Sequence, residues 1–137
     1  MIDDIISIMK IFVATSYSSQ VNYETGQVFP EFRDFLENQF TTLEQFGEIF
    51  SGIRYDDYQI NHAAPDEAFR LDLKEIKESD VLVAFLGEKV SAGVQTEIGM
   101  ALAFGKKVLL APPAKSSWDI LTKLFCTPVL RRRFLCR

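Results

Sequence analysis

Two acids stand at matching places in two helical stretches of the chain. In residues 64–79 the apolar stripe is Phe69, Leu73 and Ile76, and Asp72 follows Phe69 by three. In residues 91–105 the stripe is Val94, Ile98 and Ala101, and Glu97 follows Val94 by three. Residues three and four apart share one helix face, so each acid borders the apolar stripe of its own helix. If the two helices are neighbours on a sheet, the carboxyls converge over the strand ends. An acid beside an apolar face must be capped, paired or used. Used as a pair in a partly apolar cleft, two carboxylates suit cleavage of a glycosidic bond. One attacks the anomeric carbon and the other handles protons. The plainer alternative is that each acid only caps or salt-bridges a neighbour.

The start of the second stretch adds to this. Ser91 is a good N-cap, and Gly93 lets a ligand come close to the backbone. A helix N-terminus offers unpaired N–H groups to a phosphate or another anion. A Ser N-cap with no ligand is the common alternative. Neither GxGxxG nor GxxxxGK[ST] is present, so dinucleotide and Walker-type phosphate binding have no support.

The elements that must position these residues read as an α/β chain. Residues 8–15 are short, apolar and partly β-branched, a buried first strand. The polar loop 16–22 follows, at a strand's carboxyl end, where open α/β sheets bind ligands. Phe32, Leu36, Phe40, Leu43, Phe46 and Phe50 predict helix over Pro30 to Phe50, and Thr41-Thr-Leu-Glu44 has the capping-box pattern of a break near residue 41 into two helices. The many Phe residues of this segment suit a core first and a subunit interface second. Residues 53–60 read as a polar edge strand. Residues 81–86, 91–105 and 108–111 read as strand, helix and strand, a βαβ unit. Residues 116–125 predict a terminal helix, and 127–130 offer a last short strand. We expect one domain over 1–137, with its core in 10–112 and a C-terminal helix and tail in 113–137.

Composition narrows the function classes. The 137 residues are 47% hydrophobic and 25% charged, the profile of an ordinary globular domain. A net charge of −4 gives no global basic field for nucleic acid. The basic cluster Arg131-Arg-Arg133 reads as a solvated or dimer-packed tail. Cys126 and Cys136 lack metal-ligand spacing, and His62 is the only histidine, so neither a metal nor another cofactor is expected. No apolar run reaches membrane-spanning length, and the acidic N-terminus is unlike a signal peptide, so the expectation is a cytoplasmic protein.

At this point the sequence resembles the nucleoside 2-deoxyribosyltransferase family. The matching pieces are Lys10-Ile-Phe-Val-Ala-Thr-Ser16, Asp72 with Ser79-Asp80 beyond it, Val81-Leu-Val-Ala84, Ser91-Ala-Gly-Val-Gln-Thr-Glu97-Ile-Gly99, and Gly105-Lys-Lys-Val-Leu109. The resemblance implies a flavodoxin-like, Rossmann-like three-layer α/β sandwich with a four- or five-stranded parallel sheet. It implies a homodimer or larger assembly, with sites at strand ends. It makes Glu97 the nucleophile of a covalent ribosyl-enzyme intermediate and Asp72 the group that helps protonate the departing base. Thr15, Ser16, Tyr17 and Ser18, with Ser91, Gly93 and Val94, become the expected substrate contacts. Ser91 replaces the Asp usual in transferases. That is similar to the branch that hydrolyses 2′-deoxynucleoside 5′-phosphates, where the Ser contacts the phosphate. Phe12 stands where the family often has a Tyr that orients the nucleophile, a role Tyr17 could take from the loop. The expected substrate is a nucleoside or its 5′-monophosphate, with hydrolysis favoured over transfer. A non-catalytic nucleotide-binding module and an NAD-cleaving relative are the alternatives.

Overall fold

In a computed structural model, residues 8–60, 63–87 and 89–111 are described. The expected terminal helix, the strand at 127–130, the arginine tail, both cysteines and His62 lie outside them. β1 (Lys10–Thr15) is followed by a small hairpin, β2 (Val21–Asn22) and β3 (Gln27–Val28). Then come α1 (Pro30–Glu44), β4 (Glu48–Phe50), the single turn α2 (Gly52–Tyr55), α3 (Pro65–Glu78), β5 (Val81–Phe85), α4 (Ala92–Ala103) and β6 (Lys107–Ala111).

The main sheet has four strands in the order β4-β1-β5-β6, every pair parallel. Its register pairs Phe12 with Phe50, Thr15 with Phe85, and Phe85 with Ala111. Counting only these strands, the order is 2-1-3-4, the flavodoxin-like winding, which reverses direction between β1 and β5. Helices cover both faces. Ile11, Val13, Val81 and Val83 pack with Leu36, Phe40 and Leu43 of α1 on one side. Phe12, Ala14, Leu82 and Ala84 pack with Ile76 of α3 and with Val94 and Ala101 of α4 on the other. Alternation along β1 and β5 sends neighbouring residues to opposite layers, so residues 11–14 and 81–85 are all apolar, as a doubly covered parallel strand requires. The Lys10 N–H donates to the Asp80 carboxylate at 2.8 Å, and the Asp80 N–H donates to the Lys10 carbonyl at 2.8 Å. These bonds tie the start of β1 to the start of β5.

Three expectations need correction. The edge strand is at Glu48–Phe50, not at residues 53–60, which form α2 and a turn. Gly47 explains the handover from helix to strand. A Cβ there would lie 2.2 Å from the Met9 carbonyl oxygen, so only glycine lets the chain enter beside β1, where the Glu48 N–H bonds the same oxygen at 2.8 Å. Second, α1 does not break at residue 41. The Thr41 and Thr42 hydroxyls donate back to the carbonyls of Glu37 and Asn38, which satisfies them inside one helix. Third, Phe69 is 49% exposed, because the first turns of α3 overhang the strand ends, while Ile76 is fully buried. The β2–β3 hairpin was not anticipated. Its signal is Asn22, whose side-chain oxygen accepts from the Glu24 and Thr25 N–H groups, with Gly26 at φ 72° closing the turn. Among the described residues no helix is long and apolar enough to cross a membrane.

Candidate active site

The winding reverses between β1 and β5, and the candidate site opens at the carboxyl ends of these strands. α3 and α4 pack side by side on one face of the sheet. Their matching acids meet: the side chains of Asp72 and Glu97 are hydrogen-bonded to each other. Both line one cavity of about 330 Å³, together with Thr15 and Tyr17 from the end of β1 and Ser51 and Asp56 from the α2 segment. That volume is at the lower end of the range for small-molecule sites.

Burial sets the electrostatics. Removal from water is the largest cause raising Glu97 to about 8; the negative charge of Asp72 and the hydrogen bond to it add to the rise. Asp72 is raised to about 6, first by burial and then by the charge of Asp56, while its bond to Glu97 acts in the opposite sense. Two carboxyls in contact titrate as one unit, so the pair keeps a single shared proton near neutrality. The Tyr17 hydroxyl is also held above its usual range, by burial and then by Glu97, Asp56 and Asp72. Tyr17 is therefore close to both acids.

Phe12 has no part in this cavity. It is 1% exposed, in the layer between the sheet and helices α3 and α4, with its ring 5.6 Å from that of Phe50. The loop after β1 delivers a phenol to the acids; the strand itself does not.

The other expected contacts group at the start of α4, outside the lining of the cavity. The Ser91 N–H donates to the Ser16 hydroxyl at 2.9 Å, which ties the β1 loop to the helix start. The Ser91 hydroxyl accepts from the Val94 N–H at 3.2 Å as an N-cap. Val94 itself is 2% exposed and offers a ligand neither its side chain nor a free N–H. Gly93 is exposed, and a Cβ there would meet nothing nearer than the Ser91 hydroxyl at 3.9 Å. Ser18 is exposed, and its carbonyl accepts from the Tyr23 hydroxyl at 2.7 Å.

Sequence reasoning missed Ser51, Gly52 and Asp56, because it drew a strand through that segment. A Cβ on Gly52 would lie 3.5 Å from the Asp72 carboxylate, so the backbone of α2 runs close to the acid pair. The turn after Asp56 is strained. Asp57 and Tyr58 have φ of 49° and 61°, a left-handed conformation that costs about 1–2 kcal/mol for each such residue. It is held from α1: the Tyr58 hydroxyl donates to Glu37, and the Arg33 guanidinium lies 4.6 Å from the centre of the Tyr58 ring. Among the described residues no group of three or more His, Cys, Asp or Glu is arranged to hold a metal ion.

Comparison with known proteins agrees with this fold. CMP N-glycosidase BcmB of Clostridium botulinum is 28% identical in sequence, with a TM-score of 0.53 over 82% of this chain and 81% of that one. The 2-deoxyribosyltransferase of Bacillus psychrosaccharolyticus, at 20% identity and a TM-score of 0.55, covers 78% of this chain and is itself covered over 74%. BlsM, at 24% identity and a TM-score of 0.62, is matched over 93% of this chain and 76% of its own. These last two share the fold. No curated protein sequence matches the chain. The profile described as nucleoside 2-deoxyribosyltransferase matches residues 24–127, which include both acids and the α4 start. The chain therefore belongs to the nucleoside 2-deoxyribosyltransferase family, enzymes that cleave or transfer at an N-glycosidic bond.

Proposed function

We propose that the protein hydrolyses the N-glycosidic bond of a nucleoside 5′-monophosphate, or of the nucleoside itself, through a covalent ribosyl-Glu97 intermediate. The observation that carries this reading is the half-buried, hydrogen-bonded pair of Asp72 and Glu97 in one cavity. An inverting pair must stand far enough apart to hold a water between the acids; carboxyls in contact leave no such room. Direct attack with retention fits better.

The shared proton gives the order of events. With the shared proton on Asp72, Glu97 is a free carboxylate and Asp72 is a protonated acid. Glu97 then attacks C1′ as the C1′–N bond breaks, and Asp72 delivers its proton to the departing base. Water next attacks C1′, Asp72 takes a proton from it, and the bond to Glu97 breaks, which returns the free carboxylate. Tyr17, beside both acids, takes the orienting part that the family's strand Tyr would play. At the start of α4, the N–H groups of Ala92 and Gly93 have no partner among the described residues, and that end of a 12-residue helix favours an anion. The 5′-phosphate would sit there, against Gly93 and the Ser16–Ser91 tie. The likeness to CMP N-glycosidase supports hydrolysis of a nucleotide over transfer between bases.

The protein is further proposed to act as a homodimer or larger assembly. Leu102, Phe104 and Leu110 are exposed on α4, just after it, and on the edge strand β6. Light scattering that gives a monomer mass at micromolar concentration would reject the assembly. The chemistry is tested by free-base release from nucleosides and their monophosphates, and by the mass of protein quenched during turnover. Glu97→Ala should abolish both base release and the added ribosyl mass; base release surviving in this variant refutes the assignment.

A further inference from the structure

One wall of the cavity has no part in bond cleavage. It is the segment from Ser51 to Asp56, which the strained turn at Asp57 and Tyr58 holds in place. The wall lies on the Asp72 side, since Gly52 runs against the Asp72 carboxylate and the Asp56 charge acts on both Asp72 and Tyr17. In the proposed reaction Asp72 passes a proton to the base, so the base occupies this side. The sugar and phosphate extend the other way, towards the start of α4.

The chemistry of the wall is specific. Asp56 and Glu67 join the two central acids in lining the cavity, and no Lys, Arg or His among the described residues lines it. An ionised carboxylate only accepts hydrogen bonds. It attracts an N–H donor and repels a carbonyl oxygen. Ser51 (4% exposed) and Thr15 (7% exposed) also line the cavity, with their hydroxyl oxygens closed off from solvent and without a partner among the described residues.

Resting on the N-glycosidase reading, we propose that Asp56 selects bases with an exocyclic amino group by accepting a hydrogen bond from it at the α2 wall. Cytosine is then preferred over uracil, and adenine over hypoxanthine. Each pair differs mainly in an amino group replaced by a carbonyl oxygen, so the paired substrates isolate this contact. With uracil or hypoxanthine the Asp56 carboxylate would face a second acceptor.

The test compares base release from cytidine and uridine 5′-monophosphates, and from adenosine and inosine 5′-monophosphates, each as ribo- and 2′-deoxyribo-forms. The expected kcat/KM ratio is about 10- to 100-fold in favour of the amino base, the discrimination of one hydrogen bond to a charged group. Asp56→Asn keeps the shape but offers both a donor and an acceptor, and should bring the ratio to within about threefold of one. A wild-type ratio near one, or a ratio unchanged in Asp56→Asn, overturns the inference. Calorimetry of the same ligands on Glu97→Ala reads the preference without turnover. Equal affinities there overturn the inference, and a retained amino preference supports it. Absence of base release from every wild-type substrate counts against the enzymatic reading alone, so the two failures are distinct.

Discussion

Glu97→Gln should stabilise the folded protein at alkaline pH while leaving its stability at mildly acidic pH nearly unchanged. Glu97 ordinarily titrates near 4.5 and is raised to about 8 in the fold. The native state thus holds a proton that the unfolded chain releases earlier. The protonated carboxyl's contribution is complete below pH 4.5 and is lost as pH rises through about 8. A factor of ten in proton affinity is worth about 1.4 kcal/mol, so the full displacement corresponds to roughly 5 kcal/mol as an upper bound. Water penetration and local relaxation reduce it, and about 2–3 kcal/mol is the expected observable. Gln does not titrate, fits the same space and still donates to Asp72. Asp72 titrates with Glu97 as one unit in the wild type and alone in the variant, so the measured difference is that between the coupled pair and a single carboxyl. For a chain of this size the difference amounts to about 6–10 °C in Tm. The assay is thermal or urea unfolding of both proteins at pH 5 and pH 9. Nearly equal stabilities at pH 5 and a more stable variant at pH 9 are expected. A Tm difference that does not change between the two pH values would refute the buried-pair argument. So would a wild type whose stability does not fall over this range.

Three further outcomes follow from the same geometry. The pH profile of kcat/KM for base release should be bell-shaped, with limbs near 6 and 8, because the active pair carries one proton; a profile flat from pH 5 to 9 would contradict a working dyad. Ser91→Ala removes the α4 cap and should cost about 1 kcal/mol in urea unfolding. In kinetics it should raise KM for monophosphates more than for nucleosides, and an equal effect on both would remove the phosphate from this helix start. Phe12→Tyr should lose about 1–3 kcal/mol with no gain in kcat, because a hydroxyl at this 1% exposed position enters an apolar layer without a partner; a rise in kcat would put residue 12 back into the site.

The two acids were legible because helical periodicity relates residues within one element. Asp72 and Glu97 occupy the same edge of two stripes, and that edge follows from a 3.6-residue repeat alone. The apolar runs at β1 and β5 were legible as doubly covered strands for a similar local reason. So was the role of Ser91 as a cap, which depends only on the residues three positions on. Periodicity failed across residues 46–60. There an apolar pattern of helical spacing continues into β4, and the decision rests on a backbone contact between Gly47 and Met9 that no local rule contains.

What only the tertiary structure decided is which groups meet. The contact between Asp72 and Glu97 depends on α3 and α4 lying side by side. The arrival of Tyr17 depends on the path of the β1 loop, and the burial of Phe12 depends on α3 and α4 packing over its face of the sheet. The α2 wall with Ser51 and Asp56 belongs to the same class: its residues lie more than fifteen positions from Asp72 in sequence yet share its cavity. A carboxyl's proton affinity responds to burial and to neighbouring charge, and both arise when distant segments pack. The sequence by itself could name the acids and their helical faces; packing alone could make them a pair that holds one proton.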